Sequence, residues 1–184
     1  AKALPPRVTL LVDEAYMELA DDPAGSTMLP LVQAGANIIV TRTFSKLFGM
    51  AGLRIGYAVA SPANAAELKR HRITISLNAP GLAAAIAAWD DGAFQAQSRS
   101  AITAARRVLQ ASVAKASTIA LPSQTNFLFV KVADANRFAA AMAQRGILVR
   151  GAWGPAWPEW SRVSTGRMAD VERYAAALPE LVRA

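Results

Sequence analysis

Residues 38–57, Ile-Ile-Val-Thr-Arg-Thr-Phe-Ser-Lys-Leu-Phe-Gly-Met-Ala-Gly-Leu-Arg-Ile-Gly-Tyr, place hydroxyls, an amine, three glycines and a guanidinium directly after an apolar run. Lys46 sits in a glycine-rich turn between two apolar stretches. It reads either as a surface lysine in a loop or as a partly desolvated amine able to attack a carbonyl, and in the second reading Schiff-base chemistry follows. Thr43 and Ser45 are two apart, so in extended backbone their hydroxyls share a side. Arg54 adds a planar clamp for an anion, and two hydroxyls with a guanidinium suit a phosphate. The spacing is neither GxxxxGK[ST] nor GxGxxG, because Gly49 and Gly52 fall in neither register; turn geometry alone also accounts for glycines here. Asp13 ends another apolar run, either as a solvated strand end or capping acid, or as a carboxylate facing a ligand atom. Tyr16, three residues on, reaches the same ligand in the second case.

These side chains need strands to aim them. Residues 8–12 are apolar almost throughout and read as an interior strand of a parallel sheet, ending at Asp13, where open α/β sheets bind ligands. A loop follows, Ser26 caps a short helix to about Val32, and residues 38–41 form a second strand, which makes a βαβ unit. Residues 55–60 are a third strand, and Ser61-Pro62 opens a helix to about Arg70. Asn78-Ala79-Pro80 breaks the chain before an alanine-rich helix over 81–89. A long linking helix covers about 93–114, with Ile102, Ala105, Leu109 and Val113 as its apolar stripe and Arg99, Arg106 and Arg107 mostly off it. Beyond it come a strand over 125–132, a helix over 134–144, short strands at 146–150 and 162–164, and a helix over 169–181. The fold class is α/β. Residues 1–95 end a larger sheet domain, and residues 96–184 form a small α+β domain.

In that second part Arg162, within Ser161-Arg162-Val163-Ser164-Thr165-Gly166, suits a carboxylate or phosphate if it faces a cleft, although strand arginines are often edge residues. Trp153, Trp157 and Trp160 either line such a cleft or, the reading we favour, cover the small domain's core. His71 suits a helix end and is assigned no chemistry.

Composition excludes several alternatives. The chain is 53% hydrophobic and 18% charged, which argues against disorder. It has no cysteine and one histidine, so a thiolate metal site, a disulfide framework and a multi-histidine centre are excluded. The net charge of +7 is spread out: residues 1–60 hold five basic and five acidic side chains, with the excess divided between the later parts. No basic tail or nucleic-acid motif accompanies it, and no apolar run is long enough to span a membrane. A soluble, cytoplasmic protein with neither nucleic-acid nor membrane partners is expected.

Taken together, Val12-Asp13-Glu14-Ala15-Tyr16, Thr41-Arg42-Thr43-Phe44-Ser45-Lys46 and Gly52-Leu53-Arg54-Ile55-Gly56-Tyr57 resemble the fold-type I pyridoxal-phosphate aminotransferases. The nearest branch is that of the histidinol-phosphate aminotransferases, with later matches at Ser123-Gln124-Thr125-Asn126-Phe127, Gly146-Ile147-Leu148-Val149-Arg150 and Arg162-Val163-Ser164-Thr165-Gly166. The resemblance implies part of a three-layer, mostly parallel large domain followed by the small domain. It implies pyridoxal 5'-phosphate held as a covalent Schiff base to Lys46, Asp13 on the pyridine nitrogen, Tyr16 on the ring's phenolic oxygen, and Thr43, Ser45 and Arg54 on the phosphate. Arg162 would bind the substrate carboxylate, and Lys131 stands where that branch often carries an arginine, which weakens the histidinol-phosphate assignment. The implied reaction moves an amino group between an amino acid or phosphorylated amino alcohol, histidinol phosphate favoured, and 2-oxoglutarate. A decarboxylase or lyase of the same fold, resembling threonine-phosphate decarboxylase, or an inactive fragment, is the alternative. A glycine phosphate loop, a ring-stacking aromatic and an asparagine expected ahead of residue 8 cannot be located. The chain therefore reads as the C-terminal half of a homodimeric enzyme with shared active sites, inactive alone and exposing apolar sheet faces without its N-terminal half or a complementary chain.

Overall fold

The computed structural model describes Pro5, residues 7–74 and residues 76–183. The chain divides into two compact units, Ala1–Ser98 and Arg99–Ala184, and each contains one three-stranded sheet.

In the first unit the apolar, β-branched run predicted at 38–41 forms the central strand. β1 (Leu10–Asp13) lies parallel to β2 (Ile38–Thr43), with Leu10 opposite Ile38 and Asp13 opposite Thr41. β3 (Gly56–Ala60) joins β2 antiparallel, with Thr43 opposite Gly56, a pairing that apolar runs alone do not reveal. Ile38 and Val40 are buried with Val32, and Leu10, Val12 and Val59 pack against them.

β1 begins two residues later than the predicted 8–12 and takes in Asp13. The reason is Asn37, whose side chain donates to the Val8 carbonyl at 3.1 Å and accepts from the Thr9 hydroxyl at 3.2 Å, so residues 8 and 9 are tied by a side chain ahead of the ladder. Among the described residues β1 pairs only with β2, and Leu11 is 64% exposed, in place of the expected interior position. An apolar composition states what a strand needs covered, not what covers it.

α1 (Pro23–Ser26) and α2 (Leu29–Gln33) link β1 to β2. Ser26 ends α1 and caps nothing longer: Asp22 accepts from Gly25 N at 2.9 Å and takes the cap position itself. α3 (Pro62–Arg70) starts as predicted, with the Ser61 hydroxyl accepting from Asn64 N at 3.3 Å and Pro62 at the first helical position. Asn78 both ends the preceding loop and caps α4 (Ala79–Asp90), accepting from Gly81 N at 2.6 Å. Phe44, Phe48, Tyr57 and Trp89 form an aromatic cluster with centroid separations of 4.7 to 6.4 Å.

α5 (Gly92–Lys115) extends across the division between the units. In the second unit β4 (Phe127–Lys131), β5 (Arg150–Ala152) and β6 (Trp160–Ser164) form an antiparallel sheet with β6 central. α6 (Ala135–Gln144) and α7 (Met168–Leu181) complete it, and Leu109, Leu128, Phe138, Met142 and Leu178 anchor its core. Arg106, expected off the apolar stripe of α5, is 6% exposed, because its guanidinium donates to the Thr125 carbonyl at 3.1 Å while its stem packs along the helix. The strand expected at 146–150 is a helix stop instead. Gly146 has φ +70°, its N–H bonds Ala143 O, and Ile147 N bonds Met142 O, which is the glycine-terminated pattern that satisfies the last carbonyls of α6. β5 starts only at Arg150. Among the described residues no helix is long and apolar enough to cross a membrane.

Candidate active site

In the first unit the C-terminal ends of β1 and β2 bring Asp13 beside Thr41, whose hydroxyl lies 3.5 Å from Asp13 Oδ1. Asp13 also accepts from Ala15 N at 3.1 Å, which closes the turn leading to Tyr16 and keeps the exposed carboxylate at the strand end. β2 extends through Thr43, and there the chain turns. The Thr43 hydroxyl accepts from Ser45 N at 3.0 Å and lies 3.5 Å from Ile55 O, while Phe44 N bonds Ile55 O at 3.1 Å. The loop carrying Lys46 is thus pinned at its base to the end of the same loop, one residue beyond Arg54. Gly49 N bonds Lys46 O, Met50 N bonds Phe44 O, and Ser98 of α5 donates to Leu47 O at 2.7 Å.

The half-buried Lys46 places its ammonium 4.9 Å from the centroid of the Tyr16 ring. No carboxylate pairs with it among the described residues, and the contact shown for the amine is with an aromatic face. Arg54 is exposed and left-handed, with φ 55° and ψ 46°, and donates to Ala51 O at 2.8 Å. A non-glycine residue in that region costs on the order of 1–2 kcal/mol, and such strain concentrates where a side chain must be aimed. Asp13, Tyr16, Thr43, Ser45, Lys46 and Arg54 therefore all lie on strand ends or turns of one sheet.

Glu14 and Arg42 are singled out by the structure and not by their spacing. Glu14 is 5% exposed and pairs with Arg42 at 2.9 Å. Burial opposes the charge of Arg42, but hydrogen bonds to the Tyr57 hydroxyl and to Glu14 outweigh it, so its pKa is raised. In sequence, Glu14 is merely the second of two adjacent acids. Adjacent acids at the end of β1 and a single arginine between two threonines at the end of β2 are the signal that could have found the pair.

The second unit holds the other expected residues. Arg162 lies on the central strand β6, directly opposite Phe129 on β4 and Arg150 on β5. Its guanidinium sits 4.9 Å from the Trp153 ring and 5.3 Å from Phe127, and Arg150 covers Trp153 at 4.5 Å. Two arginines opposite one another repel, and no carboxylate pairs with either among the described residues. Arg162 Nε is buried without a hydrogen-bond partner among them. Lys131 is the exposed last residue of β4, opposite Trp160, and alternation puts it on the same sheet face as Phe129 and Arg162. The tryptophans divide: Trp160 is buried, Trp153 is half exposed against the arginines instead of over the core, and Trp157 is half exposed. His71 contacts only Glu67 among the described residues, at 3.0 Å.

The ends of two parallel strands and the turns that follow them thus carry an acid, a phenol, two hydroxyls, a lysine and an arginine, at the end of the sheet where open α/β folds bind ligands. The chain belongs to the aminotransferase class I and II family, whose model matches residues 3–178. It is 38% identical over 188 residues to the histidinol-phosphate aminotransferase of Oleidesulfovibrio alaskensis, covering 100% of this chain and 49% of that protein. The crystal structure of histidinol-phosphate aminotransferase from Sinorhizobium meliloti in complex with pyridoxal-5'-phosphate superimposes with TM-score 0.86 at 33% identity, over 98% of this chain and 50% of that one. L-threonine-O-3-phosphate decarboxylase from Porphyromonas gingivalis shares the fold, with TM-score 0.80 at 21% identity over 95% of this chain and 55% of that one. The chain spans about half the length of the curated relatives it matches.

Proposed function

We propose that this chain supplies the lysine-bearing half of a pyridoxal-phosphate-dependent aminotransferase, acting on an amino acid or phosphorylated amino alcohol, histidinol phosphate favoured, with 2-oxoglutarate as the second substrate. The observation that carries the reading is Lys46. Its amine, without a carboxylate partner among the described residues, faces the Tyr16 ring at 4.9 Å on a loop anchored to the strand end beside Asp13. The residues fit the cofactor: Thr43, Ser45 and Arg54 supply two hydroxyls and a guanidinium for a phosphate, and Asp13 supplies the negative charge that a pyridinium nitrogen needs. When bound, pyridoxal phosphate supplies a reactive carbonyl and an electron-withdrawing ring.

The rest of the work falls to the side chains. Lys46 would hold the cofactor covalently, and its amine, when free, would move a proton at the substrate carbon. Asp13 would hold the charge on the ring nitrogen, and Tyr16 would donate toward the ring oxygen. Arg162 takes the substrate carboxylate, and Arg150 and Lys131, on the same face, favour a second anionic group such as a phosphate. The orphaned Arg162 Nε and the facing arginines support an anion there. The reading applies to a polypeptide of the relatives' length, working as a cytoplasmic homodimer.

The test is reductive trapping. The full-length polypeptide, reconstituted with pyridoxal phosphate and reduced with borohydride, should carry the pyridoxyl group on the Lys46 peptide, and Lys46→Ala should lose both the adduct and the visible absorbance band. A band that survives Lys46→Ala sinks the assignment. Assaying oxo acid against carbon dioxide from histidinol phosphate and amino acids separates transamination from decarboxylation on the same scaffold.

A further inference from the structure

Two charges that this chemistry leaves unused are buried next to it. The Glu14 carboxylate accepts from Arg42 Nε at 3.1 Å, Arg42 Nη2 at 2.9 Å, the Thr27 hydroxyl at 2.9 Å and Met28 N at 2.6 Å. Arg42 Nη2 also donates to Thr27 Oγ1 at 3.0 Å, and that oxygen accepts from Leu29 N, the first residue of α2. The Glu14 and Arg42 side chains are only 4% and 12% exposed. Removing both charges from water offsets most of their attraction, so stability alone is a poor reason for such a pair; setting a register is the best-attested one.

The register is what this pair controls. Asp13 stands opposite Thr41, and Glu14 N bonds Thr41 O at 2.9 Å, so Glu14 and Arg42 form the next step along the two strands. Side chains alternate faces along a strand. Asp13 and Thr41 accordingly meet on one side, and Glu14 and Arg42 on the other, against the turn that starts α2. A slip of one residue would exchange the faces, turning Asp13 inward and Glu14 toward the exposed side that Asp13 now occupies. We propose that the Glu14–Arg42 pair is a register lock that positions Asp13, and through the end of β2 the Thr43 to Lys46 turn, for cofactor binding. Glu14 and Arg42 are positioning residues in this assignment, which rests on Asp13 and Lys46 being cofactor ligands.

The test uses the full-length polypeptide freed of cofactor and titrated with pyridoxal phosphate. Affinity is read by fluorescence, and the asymmetry of the bound chromophore by visible circular dichroism. Glu14→Gln and Arg42→Met should each weaken binding about tenfold and reduce the dichroic band at saturation. The double variant should lose no more than either single one, because the two side chains act as a unit. If Glu14→Gln does not fold, Thr27→Val removes one donor to the same carboxylate, and binding should weaken about threefold with the same dichroic change. Unchanged affinity and dichroism in a folded variant, additive losses in the double variant, or a lower melting temperature with both cofactor readouts unchanged would overturn the lock. A wild-type protein that binds no pyridoxal phosphate fails the proposed function itself, which distinguishes the two.

Discussion

Asp13 and Glu14 are the same kind of acid one position apart, yet the first is exposed at the end of β1 and the second is 5% exposed under four donated hydrogen bonds. Their roles follow from that difference. Glu14 already has its hydrogen bonds, whereas Asp13 accepts only from the adjacent turn and a long contact to Thr41 among the described residues, which leaves it available to a cationic ring nitrogen. Asp13→Ala in the full-length polypeptide should leave Lys46 able to trap pyridoxal phosphate but slow single-turnover transamination by on the order of 10²-fold. Stopped-flow decay of the visible band checks this, and unchanged turnover would refute the role. Lys46, Thr43 and Ser45 stand out as candidates in the sequence because amine and hydroxyl chemistry depends on residue type and close spacing. The left-handed backbone of Arg54 was not, since nothing about an arginine announces φ 55°.

At the scale of elements, β2 carries the site. Buried Ile38 and Val40 seat it, Arg42 pairs with Glu14 at its far end, and Thr43 ends it at the turn that carries Lys46. Gly56 lets β3 close against that end: a Cβ there would stand 2.8 Å from Arg42 O, a backbone atom that cannot swing away. Gly56→Ala should therefore destabilise by about 1–3 kcal/mol, seen as a lower urea midpoint with unchanged slope. One helix start was readable from local chemistry, since Ser61 accepts from Asn64 N as its place before Pro62 implies, whereas Asn78, read as a chain break ahead of residue 81, caps a helix that begins at Ala79. The stop at Gly146 was not. Residues 146–150 are Gly-Ile-Leu-Val-Arg, as apolar as a buried strand, and only the return bonds to α6 distinguish the two.

For the molecule as a whole, each unit carries its own core, and in the second that core contains a titratable group. Tyr174 is 2% exposed, its hydroxyl has no hydrogen-bond partner among the described residues, and burial pushes its pKa up. A raised phenol pKa means that the folded state holds the proton more tightly than the unfolded chain. That stability is complete below the ordinary tyrosine value of about 10 and is lost as pH rises beyond it. Tyr174→Phe should be neutral or stabilising by about 1 kcal/mol near neutral pH and should make the alkaline loss shallower. Denaturant titrations on either side of about pH 10 check both. The net charge of +7 has no comparable consequence, because arginines that matter, such as Arg42, Arg106 and Arg162, are set by local partners.

By itself the sequence determined the α/β class, most of the strands and helices, and which residue types along it are candidates for Schiff-base and phosphate chemistry. These depend on side-chain type and on periods of two and 3.6 residues, both written along the chain. The tertiary structure alone decided which of two neighbouring acids is exposed, that β3 runs antiparallel, that Arg106 and Glu14 are buried, and that Arg150 stands opposite Arg162. Each of those depends on pairing between residues distant in sequence, where register and burial are set by packing of the whole and not by any local pattern.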